Sequence, residues 1–261
     1  MAEPGCIGII GGAGWLGSAL ARALSRSGLV GKGALICSYR RSRPLPDLDC
    51  RWTRSNADLV ERSDVVIVSV RPSDWSGLSI QGGDKLIVSV MAGVTVDRIR
   101  ARTGARRIAR ALPNAAAEVG ASYTPFFMSS DRGDDARRVR TLFETCGLAD
   151  EVGAEDQIDY FTAMSGSGAA FPALLARVLM DDAIVRGVPG PVARRAAQQL
   201  VIGAGRLQER HGASPAAVVQ DFLDYRGTTA AGILGMLEAG FEASVRAGLE
   251  AAHAKVRALG G

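Results

Sequence analysis

The chain has 261 residues, 47% of them hydrophobic and 22% charged, which supports a buried core and excludes a disordered polymer. Aromatics at 5% leave little stacking surface for single-stranded nucleic acid. The net charge of +4, with its excess in the first 155 residues and densest at Arg40, Arg41 and Arg43, suits a small anionic ligand better than a nucleic acid.

In chain order, Met1-Ala2-Glu3-Pro4-Gly5 has no basic n-region, so no secretory leader is expected there. Short β-rich runs follow at Cys6–Ile10, Ala34–Ser38, Val65–Val70, Leu86–Val90 and Arg107–Ala111. Helical stretches at Trp15–Ser27, Ala57–Arg62 and Val96–Arg102 alternate with them. That alternation predicts βαβ units with right-handed crossovers and a parallel sheet covered on both faces. After Gly153 the strand signal ends. Asp156–Arg186, Pro191–Arg210, Pro215–Leu223 and Thr228–Leu259 read as Ala- and Leu-rich helices, punctuated by Gly187–Pro191, Gly212 and Gly227. The predicted fold class is therefore α/β, with a parallel-sheet domain over residues 1–155 and an all-α domain over 156–261. Such apolar helices are hard to bury within one short domain, so they are expected to pack against a second copy of the chain. No apolar run reaches the roughly 18 to 20 residues that cross a bilayer, so no membrane partner is expected. Cys6, Cys37, Cys50 and Cys146 lack disulfide or metal-ligand spacing. They read as free thiols of a cytoplasmic protein without a metal.

Three constellations carry chemistry. In the first, the strand runs into Gly12-Ala13-Gly14-Trp15-Leu16-Gly17 and a helix then begins. The glycines permit a tight turn, close approach of a pyrophosphate and close helix–strand packing, with the helix N-terminus facing the anion. This is the dinucleotide-binding arrangement of a Rossmann-type domain. In the second, the next strand ends Cys37-Ser38-Tyr39-Arg40-Arg41-Ser42-Arg43, with no carboxylate before Asp47. An Asp or Glu there would hold the ribose hydroxyls of NAD, whereas Ser38, Arg40 and Arg41 suit a 2′-phosphate, so the expected cofactor is NADPH. In the third, the helical half carries Thr162-Ala163-Met164-Ser165-Gly166-Ser167-Gly168, whose glycines permit close approach of a helix or a ligand. Gly227-Thr228-Thr229 then opens the last helix with free N–H groups and two hydroxyls, either a plain helix cap or a carboxylate site.

Missing groups narrow the reaction. None of Tyr39, Tyr123, Tyr160 and Tyr225 has a lysine four residues on, and the only histidines are His211 and His253. Alcohol oxidation needs a positioned base, but reduction of an already protonated C=N bond needs almost none. Imine reduction is the expected chemistry.

The sequence resembles the pyrroline-5-carboxylate reductase family over nearly its whole length. The matching stations run in order: the glycine loop, Asn56, Val68-Ser69-Val70-Arg71-Pro72, Ser89-Val90-Met91-Ala92-Gly93-Val94-Thr95, Arg110-Ala111-Leu112-Pro113-Asn114, Thr162 to Gly168, and Gly227-Thr228-Thr229. The resemblance implies that Asn56 and the Val70-Arg71-Pro72 turn, with Ala92 and Gly93, flank NADPH. It also implies that Asn114, Ser165, Gly166 and Asp224 to Thr229 line the substrate, a small cyclic imino acid, with Ser165 and Thr229 as candidate catalytic residues. Such enzymes are intertwined homodimers or higher oligomers.

Departures sit mainly in the substrate half. The family pattern Ser-Pro-Gly-Gly-Thr-Thr is here Asp224-Tyr225-Arg226-Gly227-Thr228-Thr229. Ala169-Ala170-Phe171 replaces Pro-Ala-Tyr, Ala115-Ala116 replaces Thr-Pro, and Gly212 replaces an acidic residue. Three functions are therefore open: reduction of 1-pyrroline-5-carboxylate to proline, reduction of a different imine or ketone in secondary metabolism, and non-catalytic NADPH binding.

Overall fold

A computed structural model describes residues 5–130 and 133–260, so the first four residues of the stretch read for a leader lie outside the described residues. The described residues form one eight-stranded sheet and ten α-helices. In the order of the chain these are β1 (Ile7–Ile10), α1 (Trp15–Ser27), β2 (Leu35–Ser38), β3 (Arg51–Thr53), α2 (Asn56–Glu61), β4 (Val65–Val68), β5 (Leu86–Ser89), α3 (Val96–Thr103), β6 (Arg107–Ala111), β7 (Ser122–Met128), α4 (Asp135–Glu144) and β8 (Gly147–Glu151). Helices α5 (Glu155–Phe161), α6 (Ala170–Val185), α7 (Gly190–His211), α8 (Pro215–Tyr225), α9 (Thr228–Glu238) and α10 (Phe241–Gly260) follow. Contacts divide the chain into two compact units, Gly168–Ala251 and the remainder, to which α10 returns from Ala252 onward.

The strand order is β3-β2-β1-β4-β5-β6-β7-β8, and every pairing is parallel except β6 with β7. The chain winds one way from β1 through β3, then restarts beside β1 at β4 and winds the other way. This reversal leaves a crevice at the carboxyl ends of β1 and β4. Both faces of the central strands are buried, which is why they read as continuous apolar runs. Ile7, Ile9, Ile67 and Val88 point to one side with Leu20 and Leu24 of α1; Ile10, Val66, Val68 and Ile87 point to the other with Leu59 of α2 and Ile99 of α3.

The parallel sheet and the helical second half follow the sequence expectation, with four additions. β3, β7, α4 and β8 were not predicted. β7 reads Ser-Tyr-Thr-Pro-Phe-Phe-Met, and a proline argues against an interior strand because it removes a ladder donor. Here Pro125 still contributes its carbonyl, which accepts the Leu112 N–H at 2.9 Å. Two predicted long helices are also each broken. The Asp156–Arg186 run splits at a π-helical turn, Thr162–Gly166, before α6 begins. The Thr228–Leu259 run splits at Gly240, which adopts φ 86° between α9 and α10. Among the described residues no strand follows Glu151, and no helix is long and apolar enough to cross a membrane.

In the Gly168–Ala251 unit α6 packs on α7 and α8 on α9. No side chain of α6 or α8 is buried, and Phe171, Leu174, Val178, Leu179 and Phe222 are all exposed.

In the first unit an ionic tie holds α5. Arg110 on β6 is 1% exposed; its guanidinium donates to Glu155 at 2.8 Å and to Asp159 at 2.7 Å. The same Glu155 oxygen accepts the N–H of Val96 at 2.8 Å, where α3 begins. One arginine therefore joins β6, α3 and α5. Removing one partner of a buried ionic group leaves the others desolvated and unpaired. Arg110→Ala should cost about 3 kcal/mol, at the low end for buried ion pairs because both carboxylates keep some solvent. Denaturant titration followed by circular dichroism checks this; a change below about 0.5 kcal/mol, typical of an ordinary surface substitution, would show that the tie carries no stability.

Candidate cofactor groove

The chain leaves β1 through Gly11, at φ 80°, where a Cβ would lie 2.5 Å from the Ser69 carbonyl oxygen. The Gly11 carbonyl then accepts the Gly14 N–H at 2.9 Å, closing the turn that launches α1. Gly17, on the first turn of α1, lies directly under this loop: a Cβ there would stand 2.4 Å from the Gly11 oxygen and 3.0 Å from Gly12 Cα. Both obstructions are backbone, so only glycine lets the helix start this close to the strand. Gly12 has similar company, since a Cβ there would meet the Cys37 side chain at 2.7 Å. The helix has no acidic residue in its first turn and no side-chain cap, so its N-terminal N–H groups and dipole are free to meet an anion.

Over this helix end lies a groove of about 880 Å³. Its walls come from the carboxyl ends of successive strands: Gly11 and Ala13 to Leu16 after β1, Ser38 to Ser42 at β2, Arg54 after β3, and Ser69 to Arg71 with Asp74 after β4. Ser38 is buried, and its hydroxyl accepts the Gly11 N–H at 3.3 Å while its own proton remains available. Arg54 stacks over Tyr39, 5.2 Å from the ring centroid, and Tyr39 meets Trp52 edge-on at 6.1 Å. Arg40, Arg41, Arg54 and Arg71 supply four guanidiniums, against which Asp74 is the one acidic side chain of the lining. Hydrogen bonding from Arg40, reinforced by the charges of Arg41 and Arg71, holds the Asp74 carboxyl below the usual carboxylate range.

Of the residues expected at the cofactor, Ala13, Gly14, Trp15, Leu16, Ser38, Arg40, Arg41, Asn56, Val70 and Arg71 line the groove. Gly12 and Gly17 are buried at the foot of the loop, and neither they nor Pro72, Ala92 and Gly93 are among the residues that line the groove. Gly11, Tyr39, Arg54 and Asp74 line it without having been singled out. Gly11 is the glycine at positive φ, one residue before the Gly12-x-Gly14 pattern. Arg54 and Asp74 follow strand ends, the positions where a ligand is expected in such a sheet. Cys37 and Cys50 approach each other beside the loop; their hydrogen bond, then burial, pushes the Cys37 thiol up, which makes it a poor nucleophile. Among the described residues no cluster of His, Cys, Asp and Glu could hold a metal.

The residues expected at the substrate divide between the two units. Ser165 and Gly166 lie in the π turn after α5, where Ser165 is 8% exposed and its hydroxyl donates to the Phe161 carbonyl at 3.1 Å. The Asn114 side-chain oxygen accepts the Ala116 N–H at 3.0 Å, and the Asn114 backbone N–H donates to Ser122 Oγ, also at 3.0 Å. Asp224, Tyr225, Arg226, Gly227, Thr228 and Thr229 belong to the second unit. Gly227 precedes α9, with Thr228 and Thr229 exposed at its start, and no side chain caps it. Arg226, at φ 54°, is the one non-glycine residue at positive φ among the described residues.

Comparison with known proteins gives this arrangement a family. Residues 155–259 match the family model for pyrroline-5-carboxylate reductase dimerisation, and residues 6–93 match that for NADP oxidoreductase, coenzyme F420-dependent. Pyrroline-5-carboxylate reductase 3 of Mus musculus is 30% identical over 99% of this chain and 97% of its own; that of Danio rerio is 31% identical over 97% and 91%. The chain belongs to the pyrroline-5-carboxylate reductase family. In fold, the reductase is similar to the Coxiella burnetii pyrroline-5-carboxylate reductase, with a TM-score of 0.88 at 24% identity over 99% of both chains. It is also similar to the Plasmodium falciparum pyrroline carboxylate reductase solved with NADP bound, with a TM-score of 0.80 at 22% identity over 99% of both.

The cradle beneath the groove depends on Gly17 in this reductase. Gly17→Ala should weaken NADPH binding at least about tenfold, because a methyl group forced against the Gly11 carbonyl displaces the turn that aims the N–H groups. Titration of the tryptophan fluorescence, with circular dichroism to confirm folding, measures it. Unchanged affinity in a folded variant would show that close helix–loop contact is not needed.

Proposed function

We propose that the protein is an NADPH-dependent reductase that adds hydride to the C=N bond of a cyclic imino acid such as 1-pyrroline-5-carboxylate, giving proline. The observation that carries this reading is the groove at the strand-order reversal, with its surplus of guanidiniums and a free helix N-terminus, in a chain of this family. The donor set suits NADPH: Ala13 to Leu16 and the start of α1 would hold the pyrophosphate, and Ser38, Arg40 and Arg41 the 2′-phosphate. Asn56, Val70, Arg71 and Pro72, with Ala92 and Gly93, would flank the remainder. The cofactor, when bound, supplies the hydride.

On this reading residues 1–155 serve the cofactor and residues 156–261 serve the substrate and the dimer. The N–H groups of Thr228 and Thr229, unpaired at the start of α9, would grip the substrate carboxylate. Asn114, Ser165, Gly166 and the Asp224–Gly227 turn would complete the surroundings. Because the Ser165 hydroxyl proton is already donated to Phe161, the lone pairs of its oxygen remain to accept an iminium N–H. Thr229 would orient the imine, and solvent or its hydroxyl would supply the proton that makes it the iminium, so that hydride addition to the carbon balances without a further proton.

A second copy of the chain is the partner that fits the exposed apolar helices. Each Leu or Phe side chain left in water forgoes roughly 1.5 to 3 kcal/mol of burial, and α6 alone exposes several. Dilution should therefore reduce thermal stability and activity together. A fully active, stable monomer at nanomolar concentration, seen by light scattering, would contradict the shared-helix reading.

A different imino acid is the second reading, and the Asp224–Arg226 turn favours it. Tyr225 is 83% exposed, Arg226 accepts a left-handed backbone, and the Asp224 carboxylate is held by Gln220 at 2.8 Å. The deciding measurement is kcat/KM on 1-pyrroline-5-carboxylate for the unmodified protein and for Asp224→Ser, Tyr225→Pro, Arg226→Gly combined. A value of about 10⁵ M⁻¹s⁻¹ in the unmodified protein selects proline formation. A low value raised by the triple change selects an altered substrate. No NADPH oxidation with any cyclic imine would overturn both.

A further inference from the structure

Arg40 follows β2 and Asp74 lies in the turn after β4, two strands that flank β1 on opposite sides. Their side chains nevertheless meet, Arg40 Nη2 donating to Asp74 Oδ1 at 2.6 Å, so the pair joins the turns that follow the two strands on either side of β1. Both residues line the groove, and the Asp74 carboxylate also lies in the field of Arg41 and Arg71. The guanidinium that the basic loop offers to an incoming anion is thus already engaged, by an anion built into the opposite wall.

We propose that Asp74 is a specificity-determining residue that competes with the 2′-phosphate of NADPH for Arg40. This rests on the reading of the groove as an NADPH site. In the free protein the carboxylate stands in for the phosphate, relieving repulsion among Arg40, Arg41 and Arg71 and keeping them gathered. When the cofactor enters, Arg40 exchanges one anion for another, so only the difference between the two contacts counts toward binding. When it leaves, Asp74 recaptures Arg40 and lowers the cost of vacating the site. The carboxylate therefore weakens NADPH binding and hastens release, and it acts much less on NADH, which has no 2′-phosphate.

The pair is well exposed, with 62% of the Arg40 and 36% of the Asp74 side chain accessible, so its effect is modest. Asp74→Asn keeps the shape and the Asp74 backbone N–H bond to the Arg71 carbonyl, at 2.9 Å, while removing the charge. It should tighten NADPH and adenosine 2′,5′-bisphosphate about 2- to 5-fold, chiefly through slower dissociation, and leave NADH nearly unchanged. In an Arg40→Ala background the same change should have a smaller effect on NADPH, because the competition is gone. Titration by tryptophan fluorescence and stopped-flow dissociation read both quantities without turnover. Weaker or unchanged NADPH binding in Asp74→Asn, or an equal gain for NADH, would overturn the proposal. Failure of the unmodified protein to bind either NADPH or the bisphosphate would instead overturn the cofactor reading.

Discussion

The contact between Gly17 and the carbonyl of Gly11 governs the rest of the nucleotide half. Because α1 starts against the backbone of the preceding turn, its N–H groups point over the end of β1 instead of into a side-chain layer. The anion site, the placement of Ser38 under the loop and the approach of the β4 turn at Ser69 all follow from this spacing. A side chain at residue 11 or 17 would open the turn and disperse the groups that converge there. The backbone cradle carries no information about which dinucleotide binds; on the proposed reading that selection falls to the guanidiniums and hydroxyl at the ends of β2, β3 and β4.

A second tie fixes the outgoing end of the sheet. Arg110 lies in the strand that leads to Asn114, and its carboxylate partners begin and run through α5, the helix that ends in the π turn carrying Ser165. One buried guanidinium thus sets the position of two segments expected at the substrate. Ionic anchoring of this kind stabilises little compared with well-packed apolar groups, but it fixes register, since either carboxylate without the arginine would be desolvated at a loss. The family resemblance spans this segment, and departures from the family pattern follow it at Ala115-Ala116 and Ala169–Phe171, as well as at Gly212 and in the Asp224–Arg226 turn before α9.

Much of this was legible in the residues because local rules coincide with global ones. The Gly12–Gly17 spacing, the apolar run before it and the absence of a carboxylate after β2 each need only a few adjacent positions. What was not legible depends on long-range pairing. β3 is three residues long with an exposed arginine, and β8 is largely exposed at the sheet edge, so neither shows a buried run. Pro125 disguises β7. α4 carries its apolar residues Val139, Leu142 and Phe143 at helical spacing within a charged decapeptide, and that signal was available but outweighed by the charges. Arg54 and Asp74 reach the groove only because β3 and β4 end beside β1 and β2, a proximity no local pattern encodes. The breaks at Thr162–Gly166 and Gly240 were marked by glycine, yet helical periodicity on both sides masked them.

The central claim is that this fold transfers hydride from NADPH to an imine carbon. Its most direct test follows the atom itself. The purified protein is given NADPH deuterated at the transferable position of the nicotinamide, with 1-pyrroline-5-carboxylate and then with other cyclic imino acids, and the products are read by mass spectrometry and NMR. The account predicts an amino acid carrying deuterium at the carbon that was doubly bonded to nitrogen. Oxidised cofactor with no label in any product, or no product from any cyclic imino acid, would contradict it.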